Sequence, residues 1–228
     1  KILALLGVPV RVWPRAPEKE RKMKIIIYLS VFFLFFNTIQ AKEFRIDFSN
    51  EGMKMLKKKG FGKKTIYTNE KDENGYYLKA VAESSATGLG IEIKNKDLLN
   101  EMPYLNITFK IEQDFTTIDQ KTKDGHDWTA RVMVGHGKKI GAKLLSLSHS
   151  SFLEEGYLQQ SPWTKGSRDY VISNDKTGEW HTRKVNVKEL LEKTHNISFT
   201  NFLALFTDSN NSKQKIVAYY RDIYFSDY

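Results

Sequence analysis

The chain has no cysteine in its 228 residues. Thiolate nucleophiles, iron–sulfur ligation, thiolate zinc sites, disulfide frameworks and acyl-cysteine lipid anchors are therefore excluded. Proline is scarce, and three of the five, Pro9, Pro14 and Pro17, fall in the first 22 residues, so collagen-like and proline-rich classes are excluded as well. The five histidines, His126, His136, His149, His181 and His195, include no pair at the i, i+4 spacing of a zinc-protease helix or the i, i+2 spacing of a strand-borne chelate. The segment Ser146 to Phe152 (SLSHSSF) lacks the GxSxG elbow of a serine nucleophile, and no loop has complete EF-hand spacing. What is present is 40 % hydrophobic and 13 % aromatic, ordinary globular material with room for a core.

Long apolar runs are also missing. The longest, Ile25 to Phe36 (IIIYLSVFFLFF), has twelve residues, against about 20 for a membrane span. It follows Met23 and Lys24 and precedes a polar stretch, Asn37 to Gln40, and the small residue Ala41, which is the layout of a secretory signal peptide. Residues 1–22 read as upstream sequence, 23–41 as a signal peptide cut after Ala41, and 42–228 as a single domain of periplasmic or secreted location. No transmembrane span is expected after cleavage. Residues 1–41 hold seven Lys or Arg and two Asp or Glu, so the formal charge of +9 falls to +4 (29 against 25) over residues 42–228. A charge this small over 187 residues is a solvated surface and gives no nucleic-acid footprint. Lys54, Lys57, Lys58, Lys59, Lys63 and Lys64 form the one dense cluster. It reads as a soluble loop or helix face, with an anionic envelope polymer or phospholipid head groups as the alternative occupant.

Alternation at a period of two dominates residues 42–228. Leu105, Ile107, Phe109 and Ile111 oppose Asn106, Thr108, Lys110 and Glu112; Leu89, Ile91 and Ile93 oppose Gly90, Glu92 and Lys94; Phe44, Ile46 and Phe48 oppose Arg45 and Asp47. These read as half-exposed antiparallel strands. Further strands are expected at Tyr76 to Ala82, Trp128 to Val134, Lys143 to His149, Asp169 to Ser173, Trp180 to Val187, Phe202 to Thr207 and Ile216 to Phe225. On Trp128 to Val134, alternation puts Thr129 and Arg131 on one face. Phe202 to Phe206 (FLALF) is apolar on both faces, as a covered central strand would be. Loops are expected at 116–127, 135–141, 154–167 and 208–215. Asn186 with Glu189 three residues on makes a capping box that opens a short helix to about His195, and Asp97 to Glu101 reads as one helical turn ended by Pro103. The whole is an all-β, antiparallel β-sandwich with one short helix near 187–195.

The order of segments resembles a family of uncharacterised bacterial exported proteins catalogued as domain of unknown function 3047. The likeness runs through Gly88 to Glu112 (GLGIEIKNKDLLNEMPYLNITFKIE), Lys123 to Val134 (KDGHDWTARVMV), Gly178 to Lys193 (GEWHTRKVNVKELLEK), Phe202 to Asn211 (FLALFTDSNN) and Ala218 to Phe225 (AYYRDIYF). Trp128, Thr129 and Arg221 depart from the family's usual pattern. The last segment also looks like the final strand of galactose-binding-like jelly rolls. The resemblance implies a jelly-roll-like sandwich and an exported location, and it supplies no catalytic residues.

Several constellations carry chemistry. Trp163, in the loop SPWTKG (Ser161 to Gly166), offers a flat face for a sugar ring, whereas Trp128 and Trp180, at strand starts, read as packing residues. Arg131 and Arg183 lie inside strands and need partners; Asp127, Asp208 and Asp222 are the candidates for Arg131. With His149 these give an expected ligand-binding set of Trp163, Arg131, Arg183 and His149. Asp208 and Asn210 in the loop Thr207 to Asn211 (TDSNN), with Asp222 on the next strand, are hard oxygen donors of the kind Ca²⁺ takes; an Asx-turn explains the same residues without a metal, and no other cofactor is expected. The leading reading is a non-catalytic binding domain for a polysaccharide or another cell-envelope polymer. An envelope hydrolase or lyase using His149 with Asp208 or Asp127, and a structural or protein-docking subunit, are the alternatives.

Overall fold

Burial alternates along Gly75–Glu83, where every other side chain meets the opposing sheet, whereas a central strand such as Trp128–His136 is buried at both parities. The computed structural model describes residues 43–60, 62–137, 141–175 and 177–228, so the expected signal peptide, the upstream segment and the cut after Ala41 lie outside the described residues. Thirteen strands are described: β1 (Glu43–Arg45), β2 (Lys57–Gly60), β3 (Ile66–Asp72), β4 (Gly75–Glu83), β5 (Thr87–Glu92), β6 (Tyr104–Gln113), β7 (Trp128–His136), β8 (Lys143–His149), β9 (Leu158–Gln160), β10 (Ser167–Ser173), β11 (Trp180–Asn186), β12 (Phe202–Asp208) and β13 (Lys215–Ser226). Three helices accompany them: α1 (Asn50–Met55), α2 (Leu98–Glu101) and α3 (Val187–His195). No helix among the described residues is long and apolar enough to cross a membrane.

The strands form two sheets. Sheet A has the order β11-β6-β13-β4-β3, with β1 paired to β13; sheet B has the order β2-β5-β12-β7-β8-β10-β9. The chain crosses between them at every connection except β3 to β4 and those from β7 to β10, which makes a jelly-roll-type β-sandwich. The pairing is antiparallel except between β8 and β10, which run parallel, an exception that alternation cannot signal. Leu105, Ile107, Phe109 and Ile111 of β6 face Val132, Val134, Leu145, Leu147, Leu203 and Leu205 of sheet B in one core. Gly88 lets β12 come close to β5, since a Cβ there would lie 2.4 Å from the Leu205 carbonyl oxygen.

Three expectations need correction. The polar side of β6 is not half-exposed. Asn106 and Thr108 are buried, because strands on both sides supply partners: Asn106 Nδ2 donates to Ser226 Oγ at 2.9 Å, and Thr108 and Thr182 share a hydroxyl bond of 2.9 Å. The lysine cluster is neither loop nor helix face at its centre, where Lys57, Lys58 and Lys59 form β2 along the edge of β5, and an exposed lysine-rich edge discourages pairing with another chain. The helical turn expected at Asp97 to Glu101 is present as α2, α1 is a helix that the sequence pattern does not signal, and the loop expected at 154–167 contains the short strand β9.

The N-cap half of the expected capping box is present. Asn186 Oδ1 accepts from the Glu189 amide at 3.1 Å, and α3 ends on Asn196 at φ 54°, with Val187 and Leu191 buried.

Two tyrosines of sheet A reach across the core. Tyr220, fully buried, donates to the Phe206 carbonyl at 2.6 Å, shares a 2.7 Å bond with Thr207 Oγ1 and accepts from the Arg131 amide at 3.3 Å. Tyr67 donates to the Thr87 carbonyl at 2.7 Å and accepts from the Thr207 amide at 3.3 Å. Burial raises the pKa of both hydroxyls, so they remain neutral at any physiological pH. The Tyr220→Phe variant strands buried backbone groups of β7 and β12 and is expected to lose about 2 kcal/mol of stability. Asn186→Ala, which removes only a cap, should lose about 1 kcal/mol, and Asn186→Ser should restore it. Urea unfolding checks both; a Tyr220→Phe variant as stable as wild type would show that the hydroxyl ties nothing.

Candidate functional site

Arg131 stands on β7 opposite Phe206 of β12. Of the carboxylates offered by the sequence, Asp208 is its partner, at 3.0 Å, and the guanidinium also lies 5.4 Å from the Phe206 ring centroid. The register shifts between Phe206 and Asp208, which ends strict alternation at that point. Thr129, expected on the same face as Arg131, is sent to a different partner, Asp114. Nearby on β10, Asp169 is paired with His126 at 2.7 Å, and His126 packs edge-on against the buried Trp128. Asp127 is occupied by the backbone amides of Asn211 and Ser212, at 3.1 and 2.6 Å.

His149 and Arg183 belong to a second polar chain. His149 lies 3.3 Å from Ser173 Oγ through Nδ1 and 3.3 Å from Ser151 Oγ through Nε2, with Asp114 at 3.5 Å. Ser173 donates to Asp175 at 2.7 Å, and Asp175 also takes Arg183 and His181. Arg183 lines a cleft of about 290 Å³ between β10, β11 and α3, together with Glu155, Lys184 and Glu189. Burial works to raise the pKa of Asp114, but hydrogen bonds from His149, Ser151 and Thr129 outweigh it and hold the carboxyl below its usual range. The acid beside His149 is thus Asp114, and the pairing with Asp208 or Asp127 expected for a hydrolase or lyase is not formed.

Of the four expected ligand contacts, two are linked, His149 and Arg183 through Ser173 and Asp175, while Arg131 is engaged on β7 and Trp163 stands apart. Trp163 is 58 % exposed on its loop, with the Lys123 ammonium 5.4 Å above its ring. The three expected metal donors have three separate partners: Asp208 has Arg131, Asn210 has the Asn211 side chain, and Asp222 has Arg45 at 2.5 Å. Among the described residues no group of three or more His, Cys, Asp or Glu could hold a metal ion.

The sequence reading missed the outer face of sheet A. Cross-strand register places Trp180, Lys110, Tyr219 and Lys79 in one row, with Thr182, Thr108 and Arg221 in the next. Tyr77, opposite Glu70 on β3, shares that face. The rings of Tyr77, Trp180 and Tyr219 lie 5.9–6.2 Å apart in tilted and edge-on contacts. Arg221 sits 4.5 Å from the Trp180 ring and 5.1 Å from Tyr77, and Lys110 sits 4.4 Å from Tyr219. Arg221 is anchored by Asp72, Tyr77 donates to Glu70 at 2.9 Å, and Tyr219 donates to Glu112. Burial, followed by the bond to Glu112, raises the Tyr219 pKa and keeps its hydroxyl protonated. The pattern continues along the face, where Lys184 covers Tyr104 at 4.5 Å and Arg45 covers Tyr224 at 4.3 Å. Trp180, read from the sequence as a packing residue, is half-exposed here. The available signal was the outward parity of Trp180, Lys110, Tyr219 and Tyr77, but it gains meaning only once the strand order is known.

Burial pushes the Asp208 carboxyl up to about 6, against the opposing pull of Arg131. Because the folded-state value lies above the unfolded one of about 3.9, the folded chain binds the proton more tightly. Asp208 therefore adds stability as pH falls from about 6 to about 4, and that contribution is lost as pH rises through 6. The stability difference between wild type and Asp208→Asn should shift toward wild type over this window. A difference that stays flat in urea titrations from pH 4 to 7 contradicts the assignment.

Three solved structures align with much of the chain. A family 29 carbohydrate-binding module from Piromyces equi aligns at 12 % identity over 83 % of this chain and 93 % of its own, with a TM-score of 0.35. The xyloglucanase domain of NopAA, a type three effector from Sinorhizobium fredii solved with cellobiose, aligns at 11 % identity over 75 % and 92 %, with a TM-score of 0.41. A family 30 carbohydrate-binding module of a Clostridium thermocellum cellulosomal cellulase aligns at 10 % over 75 % and 85 %, with a TM-score of 0.37. No curated protein matches the chain. The family profile described as protein of unknown function DUF3047 matches residues 54–224, a span running from α1 to the end of the aromatic face on β13, and the chain belongs to that family.

Proposed function

We propose that this protein is an exported, non-catalytic binding domain that holds a carbohydrate or another cell-envelope polymer on the outer face of sheet A, in the periplasm or outside the cell. The observation that carries the reading is the Tyr77–Trp180–Tyr219 group on a sheet face. Sugar rings present C–H groups on one face and hydroxyls at the edge. Trp180 and Tyr77, both partly exposed above the buried Tyr219, offer the first surface a partner, while Thr182, Glu70 and the lysine heads offer hydrogen bonds to the second. The strand backbone beneath fixes these side chains, so little ordering entropy is lost on binding. The signal-like segment from Met23 to Ala41 supports the location.

No catalytic step is needed. The histidine–carboxylate pair flanked by Ser151 and Ser173, His149 and Asp114, is almost fully buried, away from this face.

Retention of the purified protein on a panel of immobilised polysaccharides and cell-wall polymers tests the reading. Wild type should be held selectively, Trp180→Ala should bind about tenfold more weakly, and Trp163→Ala should bind as wild type does. Chelator should change nothing, since Asp208 is committed to Arg131. Failure to bind any polymer, or binding that survives Trp180→Ala and disappears in Trp163→Ala, would overturn the reading.

A further inference from the structure

The charges on the outer face of sheet A are not evenly matched. Each acid described there has a partner: Asp72 takes Arg221, Asp222 takes Arg45, Glu70 takes the Tyr77 hydroxyl and Glu112 the Tyr219 hydroxyl. Three cations do not. Among the described residues Lys79, Lys110 and Lys184 have no carboxylate within ion-pair distance, and each ammonium rests instead on an aromatic ring: Lys79 at 5.4 Å from Tyr219, Lys110 at 4.4 Å from Tyr219 and Lys184 at 4.5 Å from Tyr104. At the centre, Arg221 is more than nine-tenths buried, yet its Nε has no hydrogen-bond partner. A buried donor left unpaired is costly, and here the guanidinium is held against the Trp180 and Tyr77 rings and by Asp72.

The spacing narrows the ligand. Lys79 and Lys110 flank Tyr219 from β4 and β6, two strand spacings or roughly 10 Å apart. Lys184 lies on β11 four residues along from Trp180, roughly 13 Å at the rise of a strand. The Lys79 and Lys110 ammonium groups share the Tyr219 ring, at 5.4 and 4.4 Å from its centroid, and so stand closer than their backbones; Lys184, further along the face, cannot close with them around one compact phosphate. They suit an extended chain with negative groups at intervals, and the rings between them suit its apolar faces. Nucleic acid has the intervals too, but phosphate binding draws on a dense basic stripe, whereas four carboxylates are interleaved here and residues 42–228 carry a formal charge of only +4.

We infer that the polymer bound on this face is an acidic polysaccharide, its carboxylates meeting Lys79, Lys110 and Lys184 and its sugar faces lying on the partly exposed rings of Trp180 and Tyr77. The inference rests on the polymer-binding reading above and adds the chemical class. A carboxylate that arrives exchanges an ammonium–ring contact for an ion pair strengthened by the neighbouring rings' low polarity.

The test measures affinity for polygalacturonate, for the same polymer fully methyl-esterified, for alginate, for a neutral xyloglucan and for single-stranded DNA, with wild type and with the Lys79→Gln, Lys110→Gln, Lys184→Gln triple variant. Wild type should prefer the carboxylated polymers by about tenfold or more, should weaken as NaCl is raised, and should lose that preference in the triple variant. The Lys-to-Arg triple variant should regain it, which separates charge from folding, and melting curves of both variants check the fold. Equal binding of the ester and the acid, a preference unchanged in the Lys-to-Gln triple variant, or tighter binding of DNA would overturn the acidic assignment. A neutral polymer bound by wild type and lost in Trp180→Ala would overturn it and leave the polymer-binding reading standing. Silence on every polymer would end both.

Discussion

A bulge in a two-sheet structure leaves backbone groups unpaired inside the core, and something must satisfy them. Here the register of β7 against β12 shifts between Phe206 and Asp208, and the hydroxyl of Tyr220 comes across from sheet A to take the Phe206 carbonyl, the Thr207 hydroxyl and the Arg131 amide. One donor and two acceptor positions are all a phenol has, and all are used. The same irregularity sets Asp208 beside Arg131. A buried ion pair of this kind gives little net stability, but removing either partner would be expensive, so the tyrosine tie and the ion pair fix the local geometry together.

That tie has a consequence on the other side of β13. With Tyr220 and Ala218 pointing into the core, Tyr219 and Arg221 must point out. Their neighbours across the sheet, Lys110 and Thr108 on β6 and Lys79 on β4, are fixed to the same side by register. An exposed face of aromatic rings alone would invite aggregation. Cations resting over the rings and carboxylates holding the tyrosine hydroxyls keep it wet while leaving the rings in defined positions. Stability and the proposed binding face therefore come from alternate residues of one strand.

Much of the fold was legible because burial has a period of two. The strand Lys143 to His149 is present with those bounds, and the α3 cap at Asn186 is as its residues imply. What was missed is polar or short: β3 (IYTNEKD) has exposed residues at both parities, and β2 is three lysines and a glycine. Their strand character comes from the backbone of a neighbour, which local pattern does not carry. The candidate site was less legible for the same reason. Arg131 finding Asp208 could be named because both residue types were exceptional in their strands. Trp180 looked like packing at a strand start because its meaning depends on the order β11-β6-β13-β4, a set of long-range pairings. Asn106 and Thr108 looked exposed by parity and are buried by neighbours that parity cannot reveal.

The most direct test of the account follows the indole N–H resonances of the tryptophans by NMR while an acidic oligosaccharide is added. Trp128, Trp163 and Trp180 occupy different settings, one buried, one on an exposed loop and one on the sheet A face, so each reports on a different place. The account predicts that the Trp180 signal moves with added ligand, together with the backbone amides of Lys110 and Tyr219, while Trp163 stays still. Movement of Trp163 with Trp180 unchanged would place the ligand on the loop and contradict the account.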